Sequence, residues 1–159
     1  MLKSSRLRST RVRTGLEEML ARSRRWRGLR LGLIANPTAV TARLEHAAPL
    51  MAGARDLELV ALFGPEHGVW ADAQDLIEVG DSHDRRTGLR VFSLYGPTRV
   101  PTAEMLQGVD ALVFDVQDVG SRYYTFIYTM LHALEACTVH HKRLIVLDRP
   151  NPLGGAVMD

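Results

Sequence analysis

The stretch LELVALFGPEHG, Leu57 to Gly68, decides the fold. From Leu57 to Gly64 only Glu58 is polar, and the run then stops at a turn in which Glu66 and His67 stand between two glycines. An apolar run of this length, rich in Leu, Val and Phe, fits a strand buried on both faces, as in a parallel sheet covered by helices. A carboxylate and an imidazole at its end ask for a second explanation, because a turn needs neither.

Working outward, the same pattern recurs. LRLGLIANP (29–37), LRVFSLYG (89–96), VDALVFDVQDVG (109–120) and RLIVLDRPNP (143–152) each begin as apolar strands and end in polar residues. Between them lie helical patterns: ARLEHAAPLMAG (42–53), where Pro49 kinks or ends the helix, and YYTFIYTMLHALEAC (123–137). PTAEMLQG (101–108) opens on proline and closes on glycine, the expected asymmetry of a short helix. The alternation predicts an α/β fold: a doubly wound, mostly parallel five-stranded sheet flanked by helices, Rossmann-like in outline. Segment 65–88 is long, polar and without periodicity, so it reads as a functional or mobile loop.

The strand ends carry the chemistry. They supply Asn36, then Glu66 and His67, then Tyr95, then Asp115, Gln117 and Asp118, and finally Asp148, Arg149 and Asn151. In an open α/β sheet these ends share one edge, where ligands bind. The first strand runs into ANPTAV instead of a glycine-rich dinucleotide fingerprint, and neither a phosphate loop nor a G-x-S-x-G nucleophile elbow occurs. No cofactor is therefore expected. PEHG is not a zinc-binding H-E-x-x-H, and DSHD (81–84) reads as a solvated loop, so no metal is expected either. What remains is carboxylate chemistry: glycosidic hydrolysis commonly uses two carboxyls about 5–5.5 Å apart for retention or about 6.5–9.5 Å for inversion. Glu66, Asp115 and Asp118 could converge over such distances. The structural alternative is that Glu66 caps a helix or pairs with Arg122, while Asp115 satisfies backbone donors.

Composition sets the limits. The chain has 159 residues, 46% of them hydrophobic and 24% charged, with a net charge of +2. That length suits one core. The charge is uneven, about +8 over residues 1–30 and −6 over the rest, so residues 1–28 read as a basic leader and an N-terminal helix ahead of the domain at 29–159. No aromatic-rich basic motif accompanies the arginines, no apolar run approaches the ~18 residues of a membrane span, and no secretory h-region is visible. The expectation is a cytoplasmic protein with neither nucleic-acid nor membrane partners. Cys137, the sole cysteine, lies in an apolar helical run and reads as a buried structural thiol.

The blocks LGLIANPTAV, LFGPEHGVWADAQ, TGLRVFSLYGPTRVPTAEML, GVDALVFDVQDVGSRYYTFIYTM and IVLDRPNPLGG resemble, in order, successive blocks of the NamZ-like exo-β-N-acetylmuramidases. The resemblance runs from Gly15 to Gly155. It implies a glycoside hydrolase releasing N-acetylmuramic acid from the non-reducing end of peptidoglycan fragments, with its pocket between a Rossmann-like N-terminal domain and a smaller C-terminal one outside this chain. By motif, Glu66 of GPEHG would be the catalytic carboxylate and Tyr124 of RYYT a transition-state stabiliser or nucleophile, with Asp115 in the same catalytic set. Arg122 would take the lactyl carboxylate of muramic acid, and Asn36, His67, Asp118 and Asn151 would shape the sugar pocket. The partners implied are a muropeptide or amino-sugar substrate, and a second copy or a chain carrying the C-terminal domain. The rival reading is a non-catalytic binding or assembly module that needs such a second chain or copy to complete its pocket.

Overall fold

The computed structural model describes residues 12–70 and 83–154. Five strands form one sheet: β1 (Arg30–Ala35), β2 (Glu58–Gly64), β3 (Arg90–Ser93), β4 (Ala111–Asp115) and β5 (Arg143–Val146). All neighbours pair in parallel, in the order β3-β2-β1-β4-β5. The order reverses between β1 and β4, which is where a doubly wound sheet opens its ligand crevice.

Alternation along the strands divides the core in two. Leu31, Leu33 and Ala35 of β1, with Ala111 and Val113 of β4, face α1 (Gly15–Ala21) and α2 (Ala47–Ala52). Ile34, Phe63, Leu112 and Phe114 point the other way, onto Ala133, Ala136 and Cys137 of α3 (Phe126–Val139). Cys137 is buried and its thiol donates to the Arg143 carbonyl at 3.4 Å, the structural role its sequence context suggests.

The N-terminal helix starts with a capping box: the Thr14 hydroxyl accepts from the Glu17 N–H while the Glu17 carboxylate accepts from the Thr14 N–H. It is held directly against β5, with the Gly15 N–H donating to the Asp148 carbonyl at 2.7 Å. There is no room there for a side chain, since a Cβ on Gly15 would lie 2.4 Å from the Asp148 nitrogen.

Three elements differ from the sequence expectation. The 101–108 segment forms turns, such as Leu106 N–H to Thr102 carbonyl at 3.0 Å, not a helix. Its Met105 and Leu106 are buried against the sheet, so packing and not helical propensity fixes its path. Helix α2 begins only at Ala47, capped by the His46 ring, and Pro49 falls in its first turn. Proline is tolerated there because those N–H groups have no intrahelical acceptor. Helix α3 starts at Phe126, which leaves Tyr123 and Tyr124 outside it on the preceding loop.

Candidate active site

The GPEHG turn folds back on the end of β2. The Gly68 N–H donates to the Pro65 carbonyl at 2.8 Å, and a Cβ on Gly64 would lie 2.9 Å from the Gly68 Cα, so the two glycines are in contact. His67 between them is held at a φ of +69°, a left-handed conformation disfavoured for a residue with a Cβ. The consequence is a tight hook that presents a half-buried Glu66 and an exposed His67 at the C-terminal rim of the sheet.

Glu66 reaches the start of α3. The Thr125 hydroxyl donates to Glu66 Oε2 at 2.8 Å, joining the β2 hook to a loop that leaves β4 two strands away. Thr125 occupies the N-cap position of α3 yet makes no capping bond. A threonine cap is ordinarily worth about 0.5–2 kcal/mol, so the helix forgoes that contribution while the hydroxyl holds the carboxylate. Tyr124 stands beside it, half exposed, its ring between Tyr123 (6.5 Å) and Phe126 (5.8 Å). Tyr123 is 91% exposed, and the two tyrosines precede Thr125 directly on the loop that reaches Glu66.

Asp115 behaves differently. It is fully buried at the end of β4, where Arg149 binds both its oxygens, Nε to Oδ1 at 2.6 Å and Nη2 to Oδ2 at 2.9 Å. The third arm, Nη1, donates to the Val40 carbonyl at 2.9 Å. Burial pushes the Asp115 carboxyl up, and the bidentate guanidinium opposes that shift. Asp115, expected in the catalytic set, is thus engaged at both oxygens by Arg149 in this structure. A carboxylate enclosed by protein and clasped at both oxygens has no face for a sugar, and it ties the ends of β1, β4 and β5 together.

The polar groups at the switch point are likewise engaged with one another. Asn36, nearly buried, accepts through Oδ1 from the Thr38 N–H (3.1 Å) and hydroxyl (2.6 Å). The Gln117 N–H then donates to Thr38 Oγ1 at 3.3 Å, and its side-chain amide to the Pro150 carbonyl at 2.7 Å. Asp118 Oδ1 accepts from the Gly120 N–H at 3.2 Å, and Asn151 Oδ1 from the Leu153 N–H at 2.9 Å. A Cβ on Gly120 would lie 2.9 Å from the Asn151 amide nitrogen, which places the β4 and β5 loops in contact. Arg122 is exposed and pairs with none of the described residues; Glu66 takes its hydrogen bond from Thr125 instead.

Three further residues build the rim and were not singled out from the sequence. His46 caps α2, its Nδ1 accepting from the Ala48 N–H (3.2 Å) while Nε2–H donates to the Asn36 carbonyl (3.0 Å). Burial lowers its pKa, against the raising effect of the Asn36 carbonyl, so the ring is a neutral Nε2–H tautomer. Trp70 stacks on His46 at 4.2 Å between ring centroids and carries the Arg86 guanidinium over its ring at 3.9 Å. Asp84 accepts from Trp70 Nε1 (2.9 Å) and from the Thr87 N–H and hydroxyl. Burial alone would raise its pKa, but those hydrogen bonds together hold it below the ordinary value. Asp84 is thus a buried anchor, a correction to the solvated-loop reading of DSHD; residues 81 and 82 lie outside the described residues. Among the described residues no cluster of three metal-ligating side chains occurs. A groove of about 560 Å³ bordered by Glu104, Gln107, His140 and Lys142 lies at the opposite end of the sheet, before β4 and β5.

Comparison with known proteins agrees with this architecture. The family model described as exo-beta-N-acetylmuramidase NamZ, N-terminal, matches residues 31–159. The chain is 47% identical over 154 residues to the peptidoglycan beta-N-acetylmuramidase NamZ of Bacillus subtilis (strain 168), covering 96% of this chain and 37% of that protein. Two crystal structures of DUF1343 family proteins from Bacteroides fragilis are similar. One has a TM-score of 0.84 at 46% identity, the other 0.69 at 26%, covering 92% and 90% of this chain and 36% of each structure. The chain thus spans little more than a third of the length of these relatives. From strand order, rim and block matches together, it belongs to the NamZ exo-beta-N-acetylmuramidase family, within the region that corresponds to that family's N-terminal domain.

Proposed function

We propose that this chain provides the acid-bearing wall of a glycosidase that releases N-acetylmuramic acid from the non-reducing end of peptidoglycan fragments. One observation carries the proposal: the Thr125–Glu66 hydrogen bond, which joins the GPEHG hook to the RYYT loop and leaves α3 without its side-chain cap. Thr125 engages Oε2 and fixes the carboxyl rotamer, which leaves Oε1 to face the substrate. In the forward step Glu66 acts as general acid, giving a proton to the glycosidic oxygen as the bond to the anomeric carbon breaks; a water then adds at that carbon, directly or by displacing a Tyr124 adduct, and its proton returns to Glu66. Tyr124, beside it, stabilises the cationic sugar or attacks it, and the exposed Tyr123 offers an apolar face to the ring. Arg122, exposed and without a partner among the described residues, would take the lactyl carboxylate as a bidentate donor. Asn36, Asp118 and Asn151 line the rim as hydrogen-bonding groups, and His67 projects from the hook beside them. Asp115 acts at one remove, by holding the strand ends in place.

The test is turnover of a chromogenic N-acetylmuramide by the chain and by Glu66→Gln, with folding checked by circular dichroism. Turnover at least a hundredfold lower in the variant, with an unchanged spectrum, is expected; equal turnover would remove Glu66 from the reaction. A second reading, a binding module without turnover, is favoured by the engagement of Asp115, which leaves Asp118 as the one β4-end carboxylate not held by an arginine among the described residues. It predicts muropeptide binding by both proteins and hydrolysis by neither.

A further inference from the structure

Tyr95 stands at the rim and takes no part in the site described so far. It follows β3, and the register between β2 and β3 ends on the pair Gly64 and Ser93, with the Leu94 N–H donating to the Gly64 carbonyl at 2.8 Å. Glu66 and Tyr95 are each two residues past that pair, on neighbouring strands, which in a sheet run about 4.8 Å apart. They are therefore neighbours along the rim, with Tyr95 toward the β3 edge.

Its backbone is held in place. The Ser93 hydroxyl donates to the Tyr95 carbonyl at 2.8 Å and accepts from the Tyr95 N–H at 3.2 Å. Directly afterwards Gly96 takes a φ of +144°, a value glycine reaches at no steric cost, and the chain turns. The side chain is the opposite case. Its ring is 47% exposed, and among the described residues the phenol makes neither a hydrogen bond nor a ring contact. Phe92 and Leu94, just before it, already fill the core. A tyrosine kept for packing buries its ring and gives its hydroxyl a partner, and this one has no such partner.

The position of Tyr95 relative to Glu66 points to a ligand. A general acid protonates the oxygen that joins the muramoyl ring to the leaving ring, so the two rings lie on opposite sides of its carboxyl. The groups proposed above for muramic acid, Arg122, Tyr124, Asn36, Asp118 and Asn151, come from the ends of β1 and β5 and from the segment between β4 and α3. All of those elements lie on one side of β2, and Thr125 reaches Glu66 from that side as well. On the other side, among the described strands, stands only β3, the end strand of the sheet. The exposed aromatic ring at its end is Tyr95.

We infer that Tyr95 forms a leaving-group subsite, taking the N-acetylglucosamine ring that follows muramic acid in peptidoglycan by stacking against its C–H face. The inference rests on the reaction proposed above and adds the half of the substrate that the reaction releases. A pyranose with equatorial substituents has an apolar face, and a tyrosine offers it a broad rigid surface with only two side-chain torsions to freeze.

The test compares two substrates that differ only in the leaving group: the disaccharide N-acetylmuramyl-N-acetylglucosamine, and methyl β-N-acetylmuramide, whose methanol carries no ring to stack. Tyr95→Ala should lower kcat/KM for the disaccharide at least fivefold more than for the methyl glycoside, and Tyr95→Phe, which keeps the ring, should preserve the wild-type ratio. Circular dichroism checks that both variants fold. A smaller difference between the two losses, or a Tyr95→Phe variant as impaired as Tyr95→Ala, overturns the inference; if Glu66→Gln still abolishes turnover of both substrates, the proposed reaction stands without it. If the chain hydrolyses neither substrate, the proposed reaction fails on its own account, and titration calorimetry decides the subsite. Wild type should then bind the disaccharide at least fivefold more tightly than the methyl glycoside, and Tyr95→Ala should erase that preference. Equal affinities in the wild type, or a preference that survives Tyr95→Ala, overturn the inference.

Discussion

Replacing Arg149 by Met would strip Asp115 of its partner while keeping much of the side-chain volume. The pair is enclosed, with side-chain exposures of 5% and 0%, so solvent cannot take over from the guanidinium. Breaking a buried pair by removing one member costs about 3–5 kcal/mol. An independent ceiling comes from protonation: bringing an ordinary carboxyl of pKa ~3.9 to its neutral form at pH 7 costs about 4 kcal/mol, and the variant can always escape by that route. Loss of the bond to the Val40 carbonyl adds about 1 kcal/mol. The expected loss of unfolding free energy at pH 7 is thus about 4–5 kcal/mol. At pH 5 the protonation route costs only about 1.5 kcal/mol, so the deficit should shrink to about 2–3 kcal/mol. Urea unfolding of wild type and variant at both pH values measures it, each variant compared with wild type at the same pH. A deficit that is the same at pH 5 and pH 7, or below 1 kcal/mol at both, would refute the buried-pair reasoning.

Gly15→Ala should destabilise the protein by about 2–3 kcal/mol, because the new methyl meets the Leu147–Asp148 backbone and threatens the Gly15–Asp148 hydrogen bond; chemical denaturation measures the loss. His46 should make stability pH-dependent: its folded pKa lies below the unfolded value, so its contribution is full above pH ~6.5 and is lost as pH falls from there through the folded pKa. Comparing Tm with His46→Asn, a neutral cap, between pH 7.5 and 5 should flatten that slope. His67→Gly should leave stability unchanged or raise it by up to about 1 kcal/mol, whereas His67→Val should lower it by about 1–2 kcal/mol, since the +69° φ suits only the first; Tm of the two variants separates them.

The strands were legible because each is an uninterrupted apolar run of strand length. Leu57 to Gly64 predicts both β2 and the parallel sheet around it, and every neighbouring pair is parallel. What the sequence could not show was which polar strand-end residues satisfy each other. Asp115, Arg149 and Val40 are brought together across 109 positions by three separate strand ends, and no local pattern marks a carboxylate as clasped. The turns at 101–108 depart from the helical expectation for a related reason: their Pro and Gly suit a helix locally, while the burial of Met105 and Leu106 is a tertiary requirement. His46 was hidden in a longer helical pattern, because a histidine cap uses the ring nitrogen where sequence rules look for Ser, Thr, Asp or Asn.

The two acidic strand ends therefore divide their work by position in the sheet. At the end of β4, beside the switch point, a carboxylate is enclosed from both sides by the loops after β1 and β5, and the arginine from β5 makes that burial tolerable. At the end of β2, one strand further out, the glycine hook lifts Glu66 clear of the sheet, and among the described residues its side chain bonds the Thr125 hydroxyl. A guanidinium clasps both oxygens of a carboxylate, whereas the Thr125 hydroxyl engages one oxygen of Glu66 and orients it. On the function proposed above, the difference between the partners, Arg149 for Asp115 and Thr125 for Glu66, separates the carboxyl that fastens the rim from the one that meets substrate. Substituting Thr125→Val tests that separation: it should scatter the Glu66 rotamer and lower turnover of an N-acetylmuramide, while Tm falls by only a few degrees, about 1 kcal/mol of stability. A fall in Tm as large as that of Arg149→Met would mean that Glu66, too, is a fastening group.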